Sequence, residues 1–349
     1  MSFTPEQLKA LLNQSVLKAD HEFEAPPVCL EIEGDFGNQI FATLGNFSTI
    51  LARPKVGKTT YTAIKIVSLL TEKQVLKFIP TIPGNNKKIL WIDTEQGKPE
   101  CIKIIRFISK MVTGDEKKHP ENFYYLSLRS FNNEQRIQLT EFAINTLKDL
   151  FFVVIDGIRD FVSSINDERE ATRIADYLLK WSQGKNIHIL TILHQNKGDA
   201  NARGHLGTEL MNKAETVAKL TRDENNGTRL TIVEPEFSRH KDFEPFAYSI
   251  DDFGNLLNQD ATKGYQPKSP KAEELTHFEI AEILKQVYTN GESYPFGKLQ
   301  EKIYEVCHMG KMFESFGKNK CSDLIKRMKN ERFISQKPGS VEYINNTPL

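Results

Sequence analysis

The chain has 349 residues, enough for one large or two medium domains. Its 46 basic and 46 acidic residues cancel, so no global basic field marks a nucleic-acid partner and any such surface must be local. With 39% hydrophobic residues and four scattered cysteines (Cys29, Cys101, Cys307, Cys321) lacking CxxC spacing, it reads as a globular protein of a reducing cytosol, neither disordered nor a disulfide scaffold. No leader-like start and no apolar run of the roughly 18 residues a membrane span needs is visible, which predicts a cytoplasmic protein without a membrane partner. In chain order, residues 1–40 predict a helical extension, with a helix over 5–18 and a break at Ala25-Pro26-Pro27.

From about residue 40 to 250, short apolar runs (47–51, 89–92, 123–128, 151–155 and 187–193) alternate with amphipathic stretches (58–70, 99–111, 134–147 and 168–181). This alternation predicts an α/β fold, a mostly parallel sheet flanked by helices, over 41–257. After Lys213 the strand-like segments 228–233 and 246–250, joined by polar turns, predict an antiparallel edge. Residues 258–275 turn polar and carry Lys263, Pro267, Lys268 and Pro270, the composition of a linker. Helix-length segments 276–289, 296–307 and 318–331 follow, then strand-like pieces 333–336 and 341–344 about the turn Lys337-Pro338-Gly339-Ser340. Three helices and a hairpin predict a winged-helix-like domain over 276–349.

Between an apolar run and a helix stands Ala52-Arg53-Pro54-Lys55-Val56-Gly57-Lys58-Thr59, then Thr60: G-x-x-x-x-G-K-[ST] with alanine in first place. In a phosphate loop, backbone amides and the helix N-terminus cradle phosphates, Lys58 reaches the β and γ oxygens and Thr59 ligands Mg²⁺. The pattern predicts ATP and Mg²⁺ as cofactors; the bland reading is a Lys-containing turn. If the first position needs a positive φ, alanine costs about 1 kcal/mol or more there, whereas at a strand end it is tolerated. The run ending in Asp156 offers a carboxylate for the Mg²⁺ water shell, or simply a turn cap. The run 89–92 leads into Asp93-Thr94-Glu95, where Glu95 is the candidate general base for an attacking water.

These elements in this order resemble the RecA-like ATPase core, and the resemblance covers roughly 44–256. His194-Gln195-Asn196-Lys197 looks like the motif in which a glutamine senses the γ-phosphate and leads into a DNA-binding loop; Gln195 is the match. The glycine-rich stretch 198–207, containing Arg203, would be that loop. Residues 209–222 resemble the segment after the loop in RepA-type hexameric helicases of plasmids and mobile elements. Arg239 stands where that family places an arginine finger, although Phe-Ser-Arg replaces the frequent Lys-x-Arg. The resemblance implies a homo-oligomer, six-membered in the manner of those helicases, acting on single-stranded or forked DNA in replication or transfer of a mobile element; an ATP-switched DNA-binding regulator is the alternative.

Other residues carry weaker signals. His194 reads as a structural strand-end group, Trp91 and Trp181 as packing, and Arg159 is undecided between the nucleotide and a neighbour. Lys197 and Arg203 are candidate phosphate-backbone contacts or solvated loop charges. Residues 311–337 hold eight basic and three acidic residues, a local balance of +5. Lys320, Lys326 and Arg327 are the candidate DNA contacts of the third helix, against a protein-binding use of the same domain.

Overall fold

The computed structural model describes residues 3–34, 37–81, 86–195, 204–225, 228–251, 256–259, 272–273, 275, 277–289, 292–309 and 317–346. The chain divides into two compact units, Met1–Asp260 and Ala261–Leu349.

The first unit opens with helix α1 (Pro5–Ser15), fixed by a capping box between Thr4 and Gln7 yet burying none of its residues. Strands β1 (Val28–Ile32) and β2 (Gln39–Thr43) pair antiparallel, and β3 (Phe47–Ala52) leads into α2 (Lys58–Thr71). Then come β4 (Phe78–Pro80), β5 (Lys88–Asp93), α3 (Lys98–Thr113), β6 (Phe123–Ser127), α4 (Asn133–Thr146) and β7 (Leu150–Asp156). A short 3-10 turn (Ile158–Phe161) precedes α5 (Glu168–Lys185), β8 (His188–His194), α6 (Gly204–Lys213), β9 (Thr216–Asn225), β10 (Thr228–Ser238), β11 (Phe246–Ile250) and β12 (Leu256–Gln259).

Nine strands form one sheet in the order β12-β11-β10-β9-β3-β8-β7-β5-β6. From β9 to β6 every pairing is parallel, and from β9 outward to β12 every pairing is antiparallel. The α/β class and the antiparallel edge expected from the sequence are both present. Because strand side chains alternate, Ile50, Trp91, Val154 and Leu190 enter one core with α2 and α3, while Leu51, Leu90, Val153 and Ile189 enter another with α4, α5 and α6. All residues of β3 and of β7 are buried, which is why these runs lack polar alternation.

A small sheet, β2-β1-β4, was not visible in the sequence. Its Cys29, Leu30, Ile32 and Phe41 join the core of α2, so the boundary drawn at residue 40 falls inside β2. Trp91 and Trp181 are buried as packing groups, Trp91 stacked on Tyr125. All four cysteines are free and buried. Among the described residues no helix is long and apolar enough to cross a membrane.

The second unit contains α7 (His277–Val287), β13 (Tyr294–Pro295), α8 (Phe296–Met309), α9 (Lys318–Asn330), β14 (Ile334–Gln336) and β15 (Glu342–Asn345). Its sheet has the order β13-β15-β14, and Ile280, Leu284, Leu299, Ile303, Leu324 and Met328 make a core of its own. Most of the 258–275 stretch expected to be a linker lies outside the described residues.

Candidate phosphate-binding site

Strands β3, β8, β7 and β5 are parallel neighbours, so their carboxyl ends share one edge of the sheet, where ligands of open α/β sheets bind. Register places Ala52 beside His194 and Asp156 beside Asp93. Ala52 and His194, 142 positions apart in sequence, therefore meet at this edge.

The loop 52–59 turns from β3 into α2. Ala52 is the last, fully buried residue of its strand and has no positive φ; the left-handed positions are Lys55 (φ 66°) and Gly57 (φ 99°). Alanine in the leading place therefore costs no backbone strain, and the strained non-glycine is Lys55. At Gly57 a Cβ would come 3.2 Å from Thr231 Oγ1, so the close backbone turn needs glycine twice over. Helix α2 begins at Gly57 without a side-chain cap, whereas Asn132 caps α4 and Asp167 caps α5. Its first-turn amides thus remain for a phosphate anion.

Lys58 is 9% exposed, and its Nζ lies 2.7 Å from Nδ1 of His194. His194 Nε2 lies 3.0 Å from Glu95 Oε1. Burial lowers the Lys58 ammonium below the usual lysine range, while the Glu95 and Asp156 carboxylates oppose this. The hydrogen bond from His194 holds Glu95 below its ordinary value, with Lys58 contributing in the same direction. Asp156 is pushed up to about 8, chiefly by burial and then by the Asp93 and Glu95 carboxylates.

Glu95 is aimed by Asp93, whose Oδ1 accepts the Glu95 and Gln96 amides at 3.0 and 2.8 Å and whose Oδ2 accepts the Tyr125 hydroxyl at 2.7 Å. Thr94 ties this turn to β7: its amide donates to Asp156 O, and its hydroxyl accepts the Gly157 amide. A Cβ at Gly157 would overlap the Glu95 carboxyl, so glycine lets that carboxyl lie against β7. Gln195 is 5% exposed, and its amide donates to Ala52 O. A cleft of about 480 Å³ is lined by Arg53, Lys55, Gln195, Lys219 and Arg222.

The edge thus collects a hydroxyl at Thr59 and the buried carboxyls of Asp93 and Asp156, and the Lys58 ammonium works against the rise at Asp156. These oxygens suit a divalent cation, with Asp156 and Thr59 as its protein groups. Among the described residues no three His, Cys, Asp or Glu side chains form a metal cluster.

A family model described as an AAA domain matches residues 12–200, more than half of the chain. The chain belongs to this AAA domain family. The match spans the loop, Glu95, Asp156 and Gln195, and the phosphate loop makes this AAA domain a nucleotide-binding one. No curated protein matches the sequence. Among solved structures that do match, a crystal structure of the RadB recombinase is 16% identical, with a TM-score of 0.44, the match covering 63% of this chain and 92% of that one.

The remaining expected residues of the AAA protein are placed elsewhere. Arg239 follows Ser238, which pairs with Thr216, while Ala52 pairs with Leu220 of the same β9. Arg239 therefore sits about 13 Å down the sheet from its own phosphate loop, where its guanidinium donates to Lys213 O at 3.0 Å. Arg159 donates to Val162 O within its own turn. Lys197 and Arg203 lie outside the described residues. In the second unit Lys326 is exposed and pairs with Asp323, and Lys320 is half-buried. Arg327 donates to the carbonyls of Ala272 and Leu275, each at 2.7 Å, and to Glu331 at 2.7 Å. Its Nε and Nη1 are thus taken by three acceptors on its own unit. Sequence reasoning missed Asp93 and Arg222, whose Nη1 donates to the Lys55 carbonyl at 2.9 Å. The Asp-x-Glu-Gln spacing of an Asx turn could have signalled Asp93.

Proposed function

We propose that this protein is an oligomeric ATPase that couples Mg²⁺-dependent ATP hydrolysis to movement along or unwinding of DNA. The observation that carries the hydrolase part is the meeting of Lys58, Glu95, Asp156 and Gln195 on one sheet edge around an uncapped helix N-terminus. In this reading the loop amides and Lys58 bind the phosphates, and Glu95, aimed by Asp93, takes a proton from the attacking water. Bound Mg²⁺ supplies charge neutralisation on the β and γ oxygens. Gln195 links the γ-phosphate to the loop that follows it.

Arg239 serves the site of a second copy, a role supported by its distance from its own loop. The second unit acts as a winged helix whose α9 meets DNA through Lys320 and Lys326; its order of three helices and three short strands supports this. The resemblance to RepA-type ATPases points to replication or transfer of a bacterial mobile element.

An ATP-switched DNA-binding regulator is the competing reading, favoured by the separate core of the second unit. Strand displacement on a forked duplex with and without ATP decides: a motor separates the strands, whereas a switch only changes affinity. The hydrolase part is tested by two variants. Lys58→Ala should abolish ATP binding or weaken it by several kcal/mol in calorimetry. Glu95→Gln should keep binding while turnover falls by about 10² or more; wild-type-like turnover would remove Glu95 as the base.

A further inference from the structure

The phosphate-loop motif gives Lys58 one task, yet its amine already has a partner. Nζ is 2.7 Å from Nδ1 of His194 and 3.2 Å from its Nε2, and that Nε2 is 3.0 Å from Glu95 Oε1. A neutral ring protonated at Nε2 satisfies both contacts at once: Lys58 donates to Nδ1, and Nε2–H donates to Glu95. The ring's place is set by the sheet. His194 ends β8 in register with Ala52, and the next amide, that of Gln195, donates to Ala52 O at 3.1 Å. His194 is thus anchored between the strand that launches the phosphate loop and the turn that carries the candidate base.

We propose that His194 is a positioning residue with two opposed effects: it competes with incoming phosphate for Lys58, and it orients Glu95 toward the water. This rests on the hydrolase reading above. A phosphate oxygen must draw Lys58 from Nδ1, so the histidine contact subtracts from nucleotide affinity. The Nε2–H contact with Glu95 survives that exchange, because the shorter Lys58 contact is to the Nδ1 lone pair and the Nε2 hydrogen goes to the carboxylate. Removing the ring therefore tightens phosphate binding and slows turnover, whereas damage to the fold weakens both. Glutamine can replace both functions, since its amide nitrogen donates to Glu95 while its amide oxygen accepts from Lys58.

The test uses the full chain, with calorimetry on a non-hydrolysable ATP analogue plus Mg²⁺, and steady-state ATPase kinetics. His194→Ala should bind the analogue about 5-fold tighter or more while kcat falls about 10-fold. His194→Gln should stay within about 2-fold of wild type in both. Unchanged or weaker analogue binding by His194→Ala, or a glutamine variant that behaves like alanine, overturns the proposal. A wild-type protein that binds the analogue without hydrolysing ATP defeats the hydrolase reading while the affinity arm still tests the competition. A wild type that binds no analogue overturns both.

Discussion

Asp93 and Asp156 stand side by side in register at the ends of β5 and β7, one carboxylate held by three donors and the other buried beside it. Burial and the neighbouring carboxylates push Asp156 up to about 8, well above the roughly 3.9 of an unfolded aspartate. A raised carboxyl adds stability that is full below about pH 4 and is lost as pH rises toward 8. Without nucleotide or Mg²⁺, chemical denaturation of the wild type should therefore show roughly 2 kcal/mol or more of stability lost between pH 5 and 8. Asp156→Asn should flatten this dependence and raise the melting temperature at pH 7.5, while losing Mg²⁺-dependent turnover. An identical pH profile in the variant would remove Asp156 as the cause.

The backbone of the phosphate loop makes a second claim measurable. Lys55 holds φ at 66° with a full side chain, and left-handed backbone costs an ordinary residue about 1 kcal/mol. Lys55→Gly should leave stability unchanged or slightly raised, since relieved strain offsets the added freedom of the unfolded chain. Lys55→Val, β-branched at the same φ, should lower it by about 1 kcal/mol or more. Thermal melts of both variants check the order, and a glycine variant less stable than the valine one would contradict it.

Arg239 is held by its own chain at the far end of β10, its amide on Glu215 O and its guanidinium on Lys213 O. A finger acting across an interface predicts that Arg239→Ala lowers turnover by about 10³ or more with little change in ATP binding. Mixing Arg239→Ala subunits with Lys58→Ala subunits should restore part of the activity, because the second kind supplies Arg239 to the intact site of the first. If co-assembled mixtures stay as inactive as their components, Arg239 does not act in trans.

Two neighbouring cations of α9 should separate by their partners. Arg327 ties Ala272 and Leu275 to the helix through their carbonyls, so Arg327→Ala should destabilise the second unit by about 1.5–3 kcal/mol. Lys326 has an exposed pair with Asp323, worth little to stability. Lys326→Ala should leave melting unchanged and lower the salt slope of DNA binding by about one unit. A Lys326→Ala salt slope equal to wild type would favour the protein-binding use of this domain.

The elements that carry chemistry were readable because their signals are local. Strand β7 is an unbroken apolar run ending in Asp156, and α2 follows a loop whose glycine and lysine spacing is set by phosphate geometry. Strands β1, β2 and β4 were missed because they are short and their pairing is set by partners up to 50 positions away, as in Leu30 opposite Pro80.

By itself the sequence determined the α/β order, the phosphate loop and the acidic strand ends, because hydrophobic period and turn chemistry are properties of neighbouring residues. Only the tertiary structure decided which of these groups meet. Strand order put β8 between β3 and β7, and so brought His194 between Lys58 and Glu95, a residue the sequence left as structural. It also moved the strain from Ala52 to Lys55, set Arg239 away from its own loop and turned Arg327 inward. Register, burial and hydrogen-bond competition are long-range quantities, fixed by which distant groups the sheet brings together.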